Sequence, residues 1–391
     1  MVQLEDRIVD RRDSLSRFSS LFIRHCLMPN NLVSRFRAWV RRFVFRTVSR
    51  SRLLSAIYYS VASTAFVREQ QAVLYGKDQY YENLDRPSET QYLLRRNVHR
   101  LEKGLLMRPR RDVFATGYIE ETTKTYCSAL QQQDKGRPTD GVPLGDLKWA
   151  HDVLAEYFTV TASDPAIDRA RDTFADAPNF DVSIEEVDGP TDLSRLIPYH
   201  REMNGKAPVS YDAFYALSRQ RRSVRWFLDK PVPRETLDKA IRAAAQAPSA
   251  CNRQPFQLRI FDDPDEATEI AKLAAGTKGY ADNIPVTIVV VGRLRAYFAE
   301  RDRHVIYIDG SLAAMSLMFA LETLGLSSCP INWPDIEERE RKMVDRLDLA
   351  PDERPIMLMA VGYPDPDGAV AASQKKSLAT LRSYNRVSSH G

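Results

Sequence analysis

Arg221-Arg222-Ser223-Val224-Arg225 and, one helix length further on, Ala247-Pro248-Ser249-Ala250-Cys251-Asn252-Arg253-Gln254-Pro255-Phe256 are the two stretches whose reading decides the fold. Three guanidiniums and a hydroxyl within five residues suit a single phosphate monoester, because arginine offers a rigid, permanently charged fork of donors. The second stretch has no regular periodicity, carries Pro248 and Pro255, and offers the side-chain amides of Asn252 and Gln254 to the polar edge of a ring. Taken singly, the first also reads as a solvated helix end and the second as an ordinary loop. Together, in this order, they point to a phosphorylated heterocycle.

The residues around them supply a frame. The stretch 233–247 predicts a helix with Leu237, Ala240, Ile241 and Ala244 on one face. Three short apolar runs, 257–261, 286–292 and 356–362, predict strands. Residues 308–324 are apolar around most of a helical circumference, which predicts burial on several sides, in the core or at a subunit interface. Strands and helices in this order predict an α+β sandwich with a central mixed sheet covered by helices.

These segments resemble the nitroreductase superfamily, the FMN-dependent NAD(P)H oxidoreductases that include nitroreductases, flavin reductases and deiodinases. Two further segments are similar to it: Gly325-Leu326-Ser327-Ser328-Cys329-Pro330-Ile331-Asn332, whose Pro-Ile-Asn ending is of the deiodinase type, and Val361-Gly362-Tyr363-Pro364 followed by Lys375-Lys376. The resemblance spans residues 212–385. It implies FMN as cofactor and NADH or NADPH as electron donor, with hydride passing through flavin N5 to a nitro, quinone or flavin acceptor by a ping-pong mechanism. It also implies that Arg221, Arg222, Ser223 and Arg225 hold the phosphate and ribityl chain, with Lys375 and Lys376 near the phosphate. Pro248, Ser249 and Asn252 would lie along the ring, and Ser328, Cys329, Pro330 and Ile331 would border N5. No protein side chain is required as a catalytic group, and a homodimer is implied because relatives build each pocket from two subunits. Relatives also insert helices between the two strands that end at Phe261 and begin at Val286, where this chain offers one helix. A basic stretch at 103–111 is the candidate cover in their place. A low-turnover flavin-binding partner at a membrane surface and an oxygen-dependent flavin-modifying enzyme stay open as alternatives.

Composition sets the outer limits. The 391 residues predict more than one domain, and 43% hydrophobic with 28% charged residues is enough for a sizeable core. A net charge of +4 gives no reason to expect nucleic acid. Cys26, Cys127, Cys251 and Cys329 are widely spaced, which predicts neither a disulfide scaffold nor a zinc site and suggests a reducing, cytoplasmic setting. None of the six histidines has metal-ligand spacing, and neither a nucleophile elbow nor a phosphate loop of the nucleotidase type is present, so no metal and no nucleophilic catalysis are expected.

The amino-terminal half divides by composition. Residues 1–70 hold 13 arginines and no lysine, and in 36–46 arginine alternates with large apolar residues, as in an amphipathic helix. A structural helical cap and contact with a membrane surface or an acidic partner are the competing readings, the latter placing a cytoplasmic protein at the periphery of a membrane. Residues 71–200 predict a polar, mainly helical region with helices near 92–105, 147–158 and 166–174, Gly104 marking the end of the first. Chain breakers place a boundary between 187 and 211, leaving 205–386 as the FMN-binding domain and 387–391 as a tail.

Overall fold

The computed structural model describes residues 43–85, 91–133, 142–180, 195–200 and 207–385, together with Arg35, Trp39 and Val40. Most of the arginine-rich stretch before residue 43, much of the 187–211 boundary and the 387–391 tail therefore lie outside the described residues. Contacts divide the chain into 1–69 and 70–391. In the first unit, Ser51 caps helix α1 (Arg52–Val61), its hydroxyl accepting from the Leu54 N–H at 3.4 Å. Helix α2 (Val67–Glu82) begins at the division.

The second unit opens with a helical layer, α3 (Gln91–Leu105), α4 (Ile119–Gln133), α5 (Leu144–Val160) and α6 (Pro165–Ala175). Leu94, Val98 and Leu101 recur at helical spacing along α3 and meet Ile119 and Tyr126 of α4, Leu147, Leu154 and Tyr157 of α5 and Ile167 of α6 in one core. α6 starts where a cap and a proline coincide: the Asp164 carboxylate accepts from the Ala166 N–H at 2.9 Å, and Pro165 occupies the first turn. α3 ends at Leu105, one residue past Gly104, and at Gly104 the Phe114 ring rests so close that a Cβ would come within 2.2 Å of it.

The sheet follows helices α7 (Tyr211–Gln220) and α8 (Arg234–Ala245). Strands β1 (Phe256–Phe261), β2 (Val286–Arg293), β3 (Ser327–Asn332) and β4 (Glu353–Gly362) stand in the order β1-β2-β4-β3. All three ladders are antiparallel; the sheet is mixed only through a parallel bridge between Ser223 and Ser328. Alternation along the strands divides the core in two. Val289, Val291, Cys329, Ile331, Leu358 and Ala360 face one side with Met343 and Leu347 of α11 (Glu337–Leu347) and Ile270 of α9 (Pro264–Leu273). Ile288, Val290, Met359 and Val361 face the other, under α8 and α10 (Val305–Thr323). The stretch Glu300–Thr323 is long and apolar enough to cross a membrane, but Ala313, Ala314, Leu317 and Leu321 are fully buried within the unit, as expected of a core helix.

Gly104→Ala is expected to destabilise the chain by about 1–3 kcal/mol, since the Phe114 ring packs edge-on against Tyr157 and has little room to retreat. Gly117→Ala, where no atom lies within 4 Å of the added carbon, is the control. Equal urea midpoints for the two variants would show that the Phe114 contact yields freely.

Candidate functional site

The arginine segment is laid against the sheet by its backbone. Arg221 closes α7, its N–H donating to the Leu217 carbonyl at 2.9 Å, and the Val224 N–H then donates to the Ser328 carbonyl at 3.1 Å. β3 is an edge strand, so its outer backbone groups are available for this pairing. Further on, the Phe227 N–H donates to Asn283 Oδ1 at 2.7 Å, and the Asn283 amide returns to the Phe227 carbonyl at 3.0 Å. The Leu228 N–H donates to the Tyr363 carbonyl at 2.9 Å. Four residues therefore leave their backbone in fixed places while Arg221, Arg222 and Arg225 project from them.

Those arginines go to different neighbours. The Arg222 guanidinium donates to the carbonyls of Ala371, at 2.5 Å, and Ala372. With Tyr215, Ser218, Arg219 and residues 370–375 it lines a cavity of about 590 Å³. Lys375 is in that lining; Lys376, next in sequence, is exposed and outside it. Arg225 turns the other way, its guanidinium 5.8 Å from the centre of the Tyr280 ring. Among the described residues none of Arg219, Arg222, Arg225 and Lys375 forms an ion pair, although 28% of the chain is charged.

β3 shares its side chains between core and site. Cys329 and Ile331 point into the apolar core with Trp333 and Leu358, so only their backbone can border a ligand. Burial pushes the Cys329 thiol up, against the opposing effect of Arg225, which leaves it protonated at neutral pH. Ser328 faces the opposite side, is 0% exposed, and its hydroxyl has no hydrogen-bond partner among the described residues. An unpaired buried hydroxyl costs about 1–3 kcal/mol. Pro330 is half-buried, and as an edge-strand residue its missing N–H breaks no ladder.

Residues 249–254 are held by other means. Cys251, Asn252 and Gln254 all have positive φ, at 54°, 50° and 48°, a region that side-chain-bearing residues enter only when their surroundings impose it. Two buried charges do so. Arg95 of α3, 8% exposed, donates through Nε to the Asn252 carbonyl at 2.6 Å and through Nη2 to Gln254 Oε1 at 3.1 Å, while Nη1 pairs with Asp146. From the other side, Asp309 of α10 accepts from the Ala250 N–H at 3.0 Å and the Tyr297 hydroxyl at 3.2 Å. Arg253 lies 4.7 Å over the Tyr297 ring. Within the loop, the Ser249 hydroxyl accepts from the Gln254 N–H at 3.0 Å, and the Gln254 amide donates to the Ala245 carbonyl at 2.9 Å. The Gln254 amide is thus engaged by protein. No hydrogen bond among the described residues joins Pro248, Ser249 or Asn252 to the arginine segment.

Sequence reading missed Arg95 and Asp309, though each had a signal. Asp309 is the sole charge between Val305 and Leu321, and a lone carboxylate in an apolar helix requires partners. Arg95 flanks the apolar stripe of α3. The basic stretch 103–111 was the expected cover, but the arginine of this region that reaches the loop is Arg95; Arg108, Arg110 and Arg111 are exposed. The segment between β1 and β2 holds α9 and a single short turn at Ala281–Asn283, in keeping with the one helix anticipated there.

The residues suit a phosphorylated flavin on two counts: cations without counter-ions gather in a cavity, and a buried hydroxyl on β3 lacks a partner. Arg222 and Lys375 would hold the phosphate, while Ser223 and the backbone of 328–331 would border the remainder.

Arg95→Ala is expected to cost about 1.5–3 kcal/mol, because it removes the charged donor of the Asn252 carbonyl and of Gln254 Oε1. The freed loop should expose Cys251, so alkylation of Cys251 should accelerate in Arg95→Ala and much less in Arg95→Lys. Unchanged alkylation would show that Asp309 alone sets the loop. A second expectation concerns pH. Burial raises the Asp309 carboxyl above its ordinary 3.8, against the donors Ala250 and Tyr297. A folded pKa above the unfolded one means stability fully present below about 4 and lost as pH rises through the folded value. Urea midpoints should therefore fall with rising pH in the parent chain relative to Asp309→Asn; a constant difference across that window would reject the shift.

Comparison with known proteins gives concordant results. Residues 218–363 match the profile of the Nitroreductase family. Iodotyrosine deiodinase 1 of Homo sapiens is 28% identical over 193 residues, covering 42% of this chain and 66% of the relative, so the chain spans just under two thirds of the length of these deiodinases. FMN reductase [NAD(P)H] of Bacillus subtilis (strain 168) is 28% identical over 158 residues, covering 37% of this chain and 62% of the relative. Among solved structures, NfrA2 of B. megaterium aligns with a TM-score of 0.40 at 22% identity, over 45% of this chain and 75% of the other. The arginine segment, the strained loop and β3 all fall within the matched residues, and this part of the chain, 218–363, is a domain of the Nitroreductase family.

Proposed function

We propose that residues 207–385 bind FMN and act as an NAD(P)H-dependent oxidoreductase on a small acceptor of the nitro, quinone or flavin type. The convergence of Arg219, Arg222 and Lys375 in one cavity without an ion pair carries this reading. FMN, when bound, supplies hydride chemistry, taking two electrons from NADH or NADPH and passing them to the acceptor in a separate half-reaction. The chain's own part is to bind and orient. Arg222 and Lys375 offer charge-assisted hydrogen bonds to phosphate oxygens, and Ser328 supplies a hydroxyl that lacks a partner within the chain. Cys329 keeps its proton and stays in the core, so it serves neither as base nor as nucleophile. That two relatives are an FMN reductase and an iodotyrosine deiodinase supports flavin-dependent reduction.

A second copy of the chain completes the pocket in this reading. α7 has no buried residue, and Ile308 and Leu312 of α10 stand exposed although its Ala313, Ala314, Leu317 and Leu321 are buried. Apolar surface of that kind suits an isologous contact.

Chain purified without added cofactor should carry a flavin absorption spectrum, release FMN on heating, and oxidise NAD(P)H with quinone or nitroaromatic acceptors. Light scattering of the flavin-loaded protein should give twice the chain mass. Arg222→Ala and Lys375→Ala should each weaken FMN binding about ten- to a hundredfold with the fold intact. A double variant that purifies with stoichiometric FMN would place the phosphate elsewhere, absence of both flavin and NAD(P)H oxidation would sink the reading, and a monomer mass would remove the second copy.

A further inference from the structure

Helix α1 has no core to belong to. None of its 10 residues is buried, and Leu53, Leu54, Ile57 and Val61, which share one face, include side chains 69% (Leu53), 50% (Ile57) and 83% (Val61) exposed. A helix of this length is marginal in water without something to cover its apolar face. The residues around it add aromatic surface rather than covering it: Trp39, Phe43, Phe45, Tyr59 and Phe66 are all exposed. Their rings touch chiefly one another, Trp39 on Phe43 at 5.9 Å and Tyr59 on Phe66 at 4.6 Å.

The charge around this surface has one sign. Residues 14–68 hold 10 arginines and not one lysine, aspartate or glutamate. A second copy of the segment would bring arginine against arginine with no carboxylate between them. A protein groove takes a single helical stripe, whereas here aromatic rings also stand outside the stripe of α1. Spanning a bilayer is excluded by length: the charge-free run 53–67 is 15 residues and contains Ser55, Ser60, Ser63 and Thr64, against the roughly 20 apolar residues a span needs. What remains is a surface with anions outside and hydrocarbon beneath, where aromatic rings settle at headgroup depth and arginines meet phosphates.

We propose that residues 43–66 bind an anionic lipid bilayer, α1 lying in the headgroup region with Leu53, Leu54, Ile57 and Val61 turned into the acyl boundary and Arg46, Arg50 and Arg52 on lipid phosphates. This holds whether or not the other unit binds flavin. It makes the chain a peripheral membrane protein.

Vesicle flotation of the full chain tests this, with phosphatidylcholine vesicles compared against vesicles that also contain phosphatidylglycerol. The chain should float with the anionic vesicles, stay behind with the neutral ones, and be released by salt. Replacing Arg46, Arg50 or Arg52 by Ala should weaken partitioning about fivefold per residue. Leu53→Glu with Ile57→Glu should abolish flotation while leaving the urea midpoint of the chain unchanged. Equal flotation with both vesicle types, or flotation retained by the double glutamate variant, would overturn the proposal. So would binding to polyglutamate stronger than to anionic vesicles, or a lipid-free doubling of mass that depends on Leu53 and Ile57.

Discussion

The guanidinium of Arg95 is the point on which the second unit turns. It satisfies a carbonyl and an amide oxygen of a loop whose backbone sits three times at positive φ, and it does so from a helix some 150 residues earlier in the chain. Each such residue costs about 1–3 kcal/mol, so the loop has its shape only because buried charge on both sides over-determines it. Asp309 supplies the opposite clamp by holding the Ala250 N–H. The helical layer is therefore joined through this loop to α10, and removal of that layer would take the loop's shape with it.

The division of labour on β3 follows from strand geometry. Because successive side chains alternate, Cys329 and Ile331 build one face of the core while Ser328 looks to the other. The strand's outer edge is left for the backbone of the arginine segment. A ligand placed there meets backbone, one hydroxyl and guanidiniums, with the buried thiol behind Ser223 and Arg225. That arrangement suits binding and electrostatics better than proton transfer by the protein.

The two units treat cations differently. Around the sheet, arginines are mostly answered: Arg295 by Asp352, Arg293 and Arg259 by Glu353, Arg354 by Glu340 and Asp335. Among the described residues, Arg219, Arg222 and Lys375 share the cavity beside α7 without an ion pair. In the first unit, carboxylates are absent from 14–68 altogether. Cations gathered in two separate places raise the potential there and favour anionic partners, a phosphate in one case and a lipid surface in the other.

Sequence alone determined what depends on local order. The strands at β1, β2 and β4 and the buried helix α10 were legible because their apolar runs have the length and period of those elements, and the Nitroreductase domain was legible because five arginine-segment residues and the Pro-Ser loop appear in family order. Tertiary structure decided what depends on distant contact. Gly104 marks the last turn of α3, and it also makes room for Phe114, a contact between residues ten apart that no periodicity encodes. Gln254 looked free to read a ring, yet Arg95 and Ala245 hold its amide. Cys329 stood in a segment read as bordering a flavin, and only the register of β3 against β4, Cys329 opposite Ala360, turned its thiol into the core. Residue types announce which groups are available; which way a side chain faces, and who meets it, is settled by the packing of elements far apart in the chain.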